Sequence, residues 1–257
     1  MLAQIAALAD AGFDIAHPFD ARIAIALIRE LTPQLASEPA LQVAPELAPQ
    51  LAPELTPQLA SKFAPTLVPQ LASIRANASA RCALLVGNTR ALWPRFTAAL
   101  AADTALAAER DPLDRYTEAT LASAFPNAPV YFAHRTYAER TFIPFQRLAV
   151  AAGLGSLSPA HLVIHPTYGP WFALRALVFL DPDAHAPAPP SIVPLAPSPC
   201  CTADCAARFA VARDTRDARA WLALRDACPV GRAHRYADEQ IAYHYGRTFG
   251  ADPGRDA

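Results

Sequence analysis

The chain has 257 residues, 53% hydrophobic and 18% charged, which is enough length and apolar content for a substantial core and excludes a highly charged disordered chain. A formal net charge of −1 and a pI near 6.6 argue against a basic nucleic-acid binder. Proline is the anomaly: of 26, eight fall within 33–69 and seven within 182–199, so outside two segments its use is ordinary.

Residues 2–9 predict an apolar-faced helix ending near Gly12. A turn at His17-Pro18-Phe19 and a helical run from Arg22 to Glu30 follow, with Pro33 as its stop. No basic n-region precedes Arg22, and the apolar run Ile23–Ile28 is too short to cross a bilayer. The expected setting is therefore the cytoplasm, with no membrane partner. Five cysteines, an odd number without a secretory context, suggest reduced thiols.

Between 33 and 73 a tetrapeptide recurs, from Ala44-Pro45-Glu46-Leu47 to Val68-Pro69-Gln70-Leu71. Proline at every fourth position is incompatible with a regular α-helix. The segment reads as a polyproline-leaning or disordered insertion, with a docking strip for a partner as the sharper alternative. Globular patterning resumes at Arg81. Cys82–Gly87 predicts a buried strand, Asn88-Thr89 a loop, Trp93–Ala108 and Leu113–Ala124 helices, and Val130–Arg135 a strand. A helix over Pro144–Ala152 precedes two strands, His161–His165 and Phe172–Leu180. Beyond the proline-rich linker 182–199, helices are expected around Ala206–Val211, Ala218–Asp226 and Asp238–Tyr245. Strands alternating with helices indicate an α/β or α+β sandwich.

The densest chemistry lies in His165-Pro166-Thr167-Tyr168-Gly169-Pro170-Trp171-Phe172-Ala173-Leu174-Arg175. Strand alternation places Trp171, Ala173 and Arg175 on one face, and Phe172 and Leu174 on the other. An arginine amid Phe172, Leu174, Leu177, Val178 and Phe179 is costly unless it meets an anion. Either a ligand supplies that anion, or a buried Asp or Glu forms a structural salt bridge.

The stretch Ile164–Arg175 resembles the IHP-(aromatic)-G-x-WFA-(aliphatic)-R segment of the cobalamin-processing family of methylmalonic aciduria and homocystinuria type C. Further pieces resemble that family in its order: Gly12-Phe13-Asp14 with His17-Pro18-Phe19, Asp111-Pro112-Leu113-Asp114, Phe145-Gln146-Arg147, and Arg225-Asp226-Ala227 followed by Arg235-Tyr236 and Glu239-Gln240. The resemblance implies an α+β, flavin-nitroreductase-like sandwich: a mixed or antiparallel sheet flanked by helices, a single corrinoid-binding domain over 1–257. It implies base-off cobalamin binding and removal of the upper axial ligand, by flavin-dependent reduction (FMN or FAD) or by transfer to glutathione. Arg175 takes the catalytic position, beside cobalamin and the thiol. Phe145, Gln146, Arg147, Val163, Ile164, His165, Pro166, Tyr168, Gly169, Trp171 and Phe172 line the corrinoid site with it, Gln146 bonding a corrin amide. Arg225 is a weaker candidate for a glutathione carboxylate. A downstream cobalamin-trafficking or cobalamin-dependent protein is the implied partner. Val163 stands where the family often has Cys, and the 33–73 insertion has no family counterpart.

Arg147–Gly155 with His161–Phe172 also resembles the corrinoid domain of epoxyqueuosine reductases. Their iron–sulfur clusters need close CxxCxxCxxxCP runs, whereas here Cys200, Cys201 and Cys205 are separated from Cys228-Pro229-Val230-Gly231. An iron–sulfur cluster is not expected, nor a dedicated metal site; reduced thiols near a surface, or a redox or metal-trapping role, are. The alternatives to an enzyme of cobalamin processing are a corrinoid carrier, an oxidoreductase nearer the epoxyqueuosine branch, a flavin reductase, and an interaction protein organised by the repeat.

Overall fold

The computed structural model describes residues 1–36, 80–135, 143–180, 203–215 and 217–249. The tetrapeptide repeat and the linker 182–199 lie outside the described residues, as do Cys200 and Cys201. The elements are α1 (Leu2–Asp10), β1 (Ile15–Asp20), α2 (Ala21–Ala36), β2 (Cys82–Asn88), α3 (Leu92–Ala102), α4 (Thr104–Ala108), α5 (Pro112–Ala124), β3 (Val130–Phe132), α6 (Phe145–Ala151), β4 (Ser156–Leu157), β5 (Val163–Ile164), β6 (Ala173–Leu180), α7 (Ala203–Thr215), α8 (Ala218–Ala227), a 3-10 turn (Arg232–His234) and α9 (Asp238–Phe249).

Four strands form an antiparallel sheet in the order β1-β2-β6-β3. The pair β4-β5 is a separate small ribbon. Helices cover both faces, so the fold is α+β with a helix-flanked antiparallel sheet. Ala83, Leu85, Leu177 and Phe179 point to one face, against Ala24, Ile25 and Ile28 of α2 and Leu148 and Ala149 of α6. Leu84, Val86, Ala176 and Val178 point to the other, against Leu8 of α1, Leu92 and Phe96 of α3, and Leu113 and Leu121 of α5. Coverage of both faces explains why β2 reads as a continuous apolar run instead of an alternating one. Each fully buried Leu or Phe here contributes about 1.5–3 kcal/mol.

Several local expectations are corrected. His17-Pro18-Phe19 lies within strand β1, not in a turn. β1 is an edge strand, where a proline's missing N–H costs no ladder bond. α2 runs through Pro33 to Ala36, since one proline forfeits only one intrahelical bond. The helix expected over Trp93–Ala108 is two, because the Asp103 carboxylate accepts from Ala105 and Leu106 N–H and starts a new helix. The strand expected to reach Arg135 ends at Phe132, where Arg135 N–H turns back onto the Phe132 carbonyl. Of His161–His165 only Val163 and Ile164 pair as strand, because His161 sits in the left-handed region at φ 54°.

Candidate functional site

The turn from His165 to Trp171 is closed by two backbone bonds between His165 and Gly169, N–H to O in both directions, at 2.9 and 2.8 Å. Its tip, Pro166 and Thr167, is exposed, while His165 and Tyr168 are half-buried. His165 Nδ1 accepts from the backbone N–H of Thr167 (3.0 Å) and Tyr168 (3.2 Å). The ring proton therefore sits on Nε2. Burial lowers the His165 pKa to about 4, and the neighbouring His17 and His234 push it the same way. His165 is a neutral hydrogen-bond donor near neutral pH. Its ring packs 4.5 Å from Tyr168, which meets His234 edge-on at 4.9 Å.

The turn's aromatic residues diverge. Tyr168 and Phe172 join the core cluster that also takes Phe145 and Val163. Ile164 packs with Cys228. Trp171 goes the other way and is 1% exposed, enclosed by Tyr236 and Ile241. The expected corrinoid wall thus splits into two groups, one toward α6 and one toward α8 and α9. Gln146 is exposed on α6, and its Nε2 donates to the His161 carbonyl at 2.8 Å, so part of its amide is already engaged. Arg147 is half-buried beside it.

Arg175 sits at a bulge. Val86 pairs with Ala176 and Gly87 with Leu174, so Arg175 opposes no residue of β2. Alternation therefore holds from Trp171 to Leu174 and breaks at Arg175, after which Leu177 and Phe179 face the side of Phe172. Gly87 permits the approach, since a Cβ there would meet the Ala173 carbonyl oxygen at 2.5 Å. The Arg175 partner is not a carboxylate: its Nε donates to Asn88 Oδ1 at 2.7 Å. Burial pulls the guanidinium pKa down, opposed by Tyr236, Asp114 and Tyr243. Asp114, on the DPLD start of α5, is raised by burial, against the fields of His134 and Arg175. His134 bridges toward it, with Nε2 2.8 Å from Glu118 Oε1 and Nδ1 3.6 Å from Asp114 Oδ1.

Arg225 differs from the exposed arginines of α7 and α8. Arg208 and Arg213 pair with Asp204 and Asp214 at the surface, as a solvated face should. Arg225 turns inward: its Nη2 donates to the carbonyls of Pro170 (2.5 Å) and Phe172 (3.3 Å), and its Nη1 to the Tyr245 hydroxyl (3.2 Å). The guanidinium also lies over the rings of Trp171 (5.2 Å) and Tyr236 (5.5 Å). It clasps the end of the turn to α9.

The Cys228-Pro229-Val230-Gly231 run forms a second clasp. Gly169 and Gly231 both take positive φ, at 57° and 74°. A Cβ on Gly169 would meet Val230 O at 2.0 Å, and one on Gly231 would meet Tyr168 C and O at 2.2 Å. The two turns are packed backbone against backbone, which only paired glycines allow. Cys228 is buried beneath this contact and Cys205 is half-buried on α7, so the expected surface position fails for Cys228. Tyr236, just before α9, and His244 within it meet at a tilt, ring centres 5.7 Å apart. Gln240, between them at four-residue spacing, is fully buried, and neither its Nε2 nor its Oε1 has a hydrogen-bond partner.

No family model and no curated protein matches the chain. Among solved structures, the chain is similar to the C. elegans B12-trafficking protein CblC, described as a homologue of human MMACHC. The identity is 14% and the TM-score 0.46, over 95% of this chain and 92% of that one. A likeness of that degree fixes neither fold family nor function. Among the described residues, no helix is long and apolar enough to cross a membrane.

Proposed function

We propose that the protein binds a cobalamin base-off and removes its upper axial ligand, on a nitroreductase-like variant of the α+β fold. The observation that carries this reading is Arg175: a half-buried guanidinium at the root of an aromatic turn, held through Nε by a neutral amide and in no ion pair among the described residues. Of the motifs resembling the cobalamin-processing family, Phe145 clusters with Tyr168 and Phe172, Arg225 bonds the Pro170 and Phe172 carbonyls, and Asp14 links through Thr89 and Asn88 to Arg175. The buried, unpartnered amide of Gln240 fits a site built for an amide-bearing ligand.

A base-off corrinoid supplies a cobalt whose upper ligand departs on reduction, or whose alkyl group passes to an attacking thiolate. The chain's own residues bind and orient. His165, Pro166 and Tyr168 present a rigid rim with one fixed Nε2 donor, and Phe145 with Phe172 forms an apolar wall. Val163, Ile164 and Gly169 set the backbone beneath that rim. Gln146 and Arg147 offer polar groups at its edge. Trp171 and Arg225 hold the turn in place from the α9 side. Arg175 places positive charge where a thiolate or a glutathione carboxylate would sit. Arg225 acts through the turn, because its Nη1 and Nη2 donate to Tyr245, Pro170 and Phe172.

Mixing the protein with hydroxocobalamin or cyanocobalamin and recording spectra tests binding. Adding reduced FMN or FAD, or glutathione with an alkylcobalamin, then separates an enzyme from a carrier. Loss of the cyano or alkyl band supports the enzyme, and binding without it the carrier.

A further inference from the structure

Asn88 ends β2 beside the bulge, and its side chain is fully buried. Its Oδ1 accepts from Arg175 Nε at 2.7 Å, and its Nδ2 donates to the Thr89 carbonyl at 2.9 Å. Both ends of the amide are used, so it cannot flip without breaking a bond. Thr89 is anchored in turn: its backbone N–H donates to Asp14 Oδ1 at 2.7 Å and its hydroxyl to Asp14 Oδ2 at 2.5 Å. A continuous chain, Asp14-Thr89-Asn88-Arg175, thus runs from the N-terminal Gly12-Phe13-Asp14 motif to the guanidinium.

The identity of the partner matters chemically. A carboxylate at position 88 would orient Arg175 and also cancel its charge. An amide orients it through Nε alone. Among the described residues Arg175 makes no ion pair, and Asp114, the carboxylate whose field reaches it, is drawn toward His134.

We propose that Asn88 is a positioning residue that aims the Arg175 guanidinium while leaving its charge for an anionic group of the ligand, a thiolate or a carboxylate. The ligand's identity rests on the corrinoid-processing reading; the aiming does not. The discriminating variant is Asn88→Asp, equal in size but anionic. Its glutathione KM in alkylcobalamin dealkylation should rise about tenfold or more, while the cobalamin Kd moves less than about threefold. An unchanged KM, or an equal loss of both, overturns the proposal.

A second measurement needs no corrinoid. The Arg175 Nε–H resonance in a 15N NMR spectrum, assigned by its loss in Arg175→Lys, should exchange slowly with solvent. In Asn88→Ala that protection should vanish while β2 backbone amides stay protected. Retained protection overturns the aiming role. A wild-type protein that binds no cobalamin but loses this protection in Asn88→Ala removes the ligand reading and keeps the positioning one.

Discussion

Gly231→Ala is a severe test of how the functional turn is held. A methyl at this position would lie 2.2 Å from both C and O of Tyr168 and 2.5 Å from Gly169 N, all backbone atoms that cannot rotate away. The two turns would have to part by about 1 Å to restore van der Waals contact. The left-handed φ of 74° adds about 1–2 kcal/mol for any residue with a Cβ. Reduced freedom of the unfolded chain returns about 0.4–1 kcal/mol. With about 1–3 kcal/mol for the forced overpacking, the net loss is about 1–5 kcal/mol, or roughly 2–20 °C in Tm for a chain of this size. Gly246→Ala is the matched control, since a methyl added there would find nothing within 4 Å and the residue sits inside α9. It should stabilise by about 0.5–1 kcal/mol through helix propensity. Thermal unfolding followed by circular dichroism reads both variants. Equal midpoints for the two would refute the clasp between the Gly231 and Gly169 turns.

Other outcomes follow from particular side chains. Gln240→Leu removes a stranded amide that costs about 1–3 kcal/mol, so its Tm should rise while cobalamin affinity falls; a lower Tm would mean the amide is satisfied in solution. His165 and His244 both have pKa values pulled down from 6.5 to about 4, chiefly by burial. Between those values the unfolded chain binds protons that the folded one refuses, so stability should drop as pH falls from about 6.5 to 4. Urea unfolding across that window should show a flatter profile in His244→Phe, and an unchanged slope would remove this contribution. Arg175→Ala should raise the glutathione KM about 10–100-fold, the worth of a charge-assisted bond, with a smaller change in cobalamin Kd. A parallel loss of both would make Arg175 structural.

The elements most legible in the sequence are those whose pattern has a local cause. β2 and β6 are long apolar runs because helices cover both sheet faces, and α5 and α9 carry helical spacing. Pro18 misled because its tolerance depends on β1 being an edge strand, which is a property of the sheet and not of the tripeptide. The bulge at Arg175 is likewise a relation between two strands, so alternation placed the Trp171–Leu174 side chains correctly and said nothing of Asn88. Gly87 was the available clue, a glycine inside an apolar strand. The Cys228–Gly231 run resembles part of a cluster motif, yet its glycine meets Gly169, and only the folded chain brings those turns together. Arg225 sits among surface arginines in sequence, and its inward path depends on carbonyls 55 and 53 residues away.

The central claim is that the turn and Arg175 belong to a corrinoid site. Titration of the purified full chain with hydroxocobalamin, followed by absorbance, tests it most directly. The expected result is saturable binding at micromolar protein with a base-off spectral shift, weakened in Gly231→Ala. An unshifted spectrum with no binding at those concentrations would contradict it.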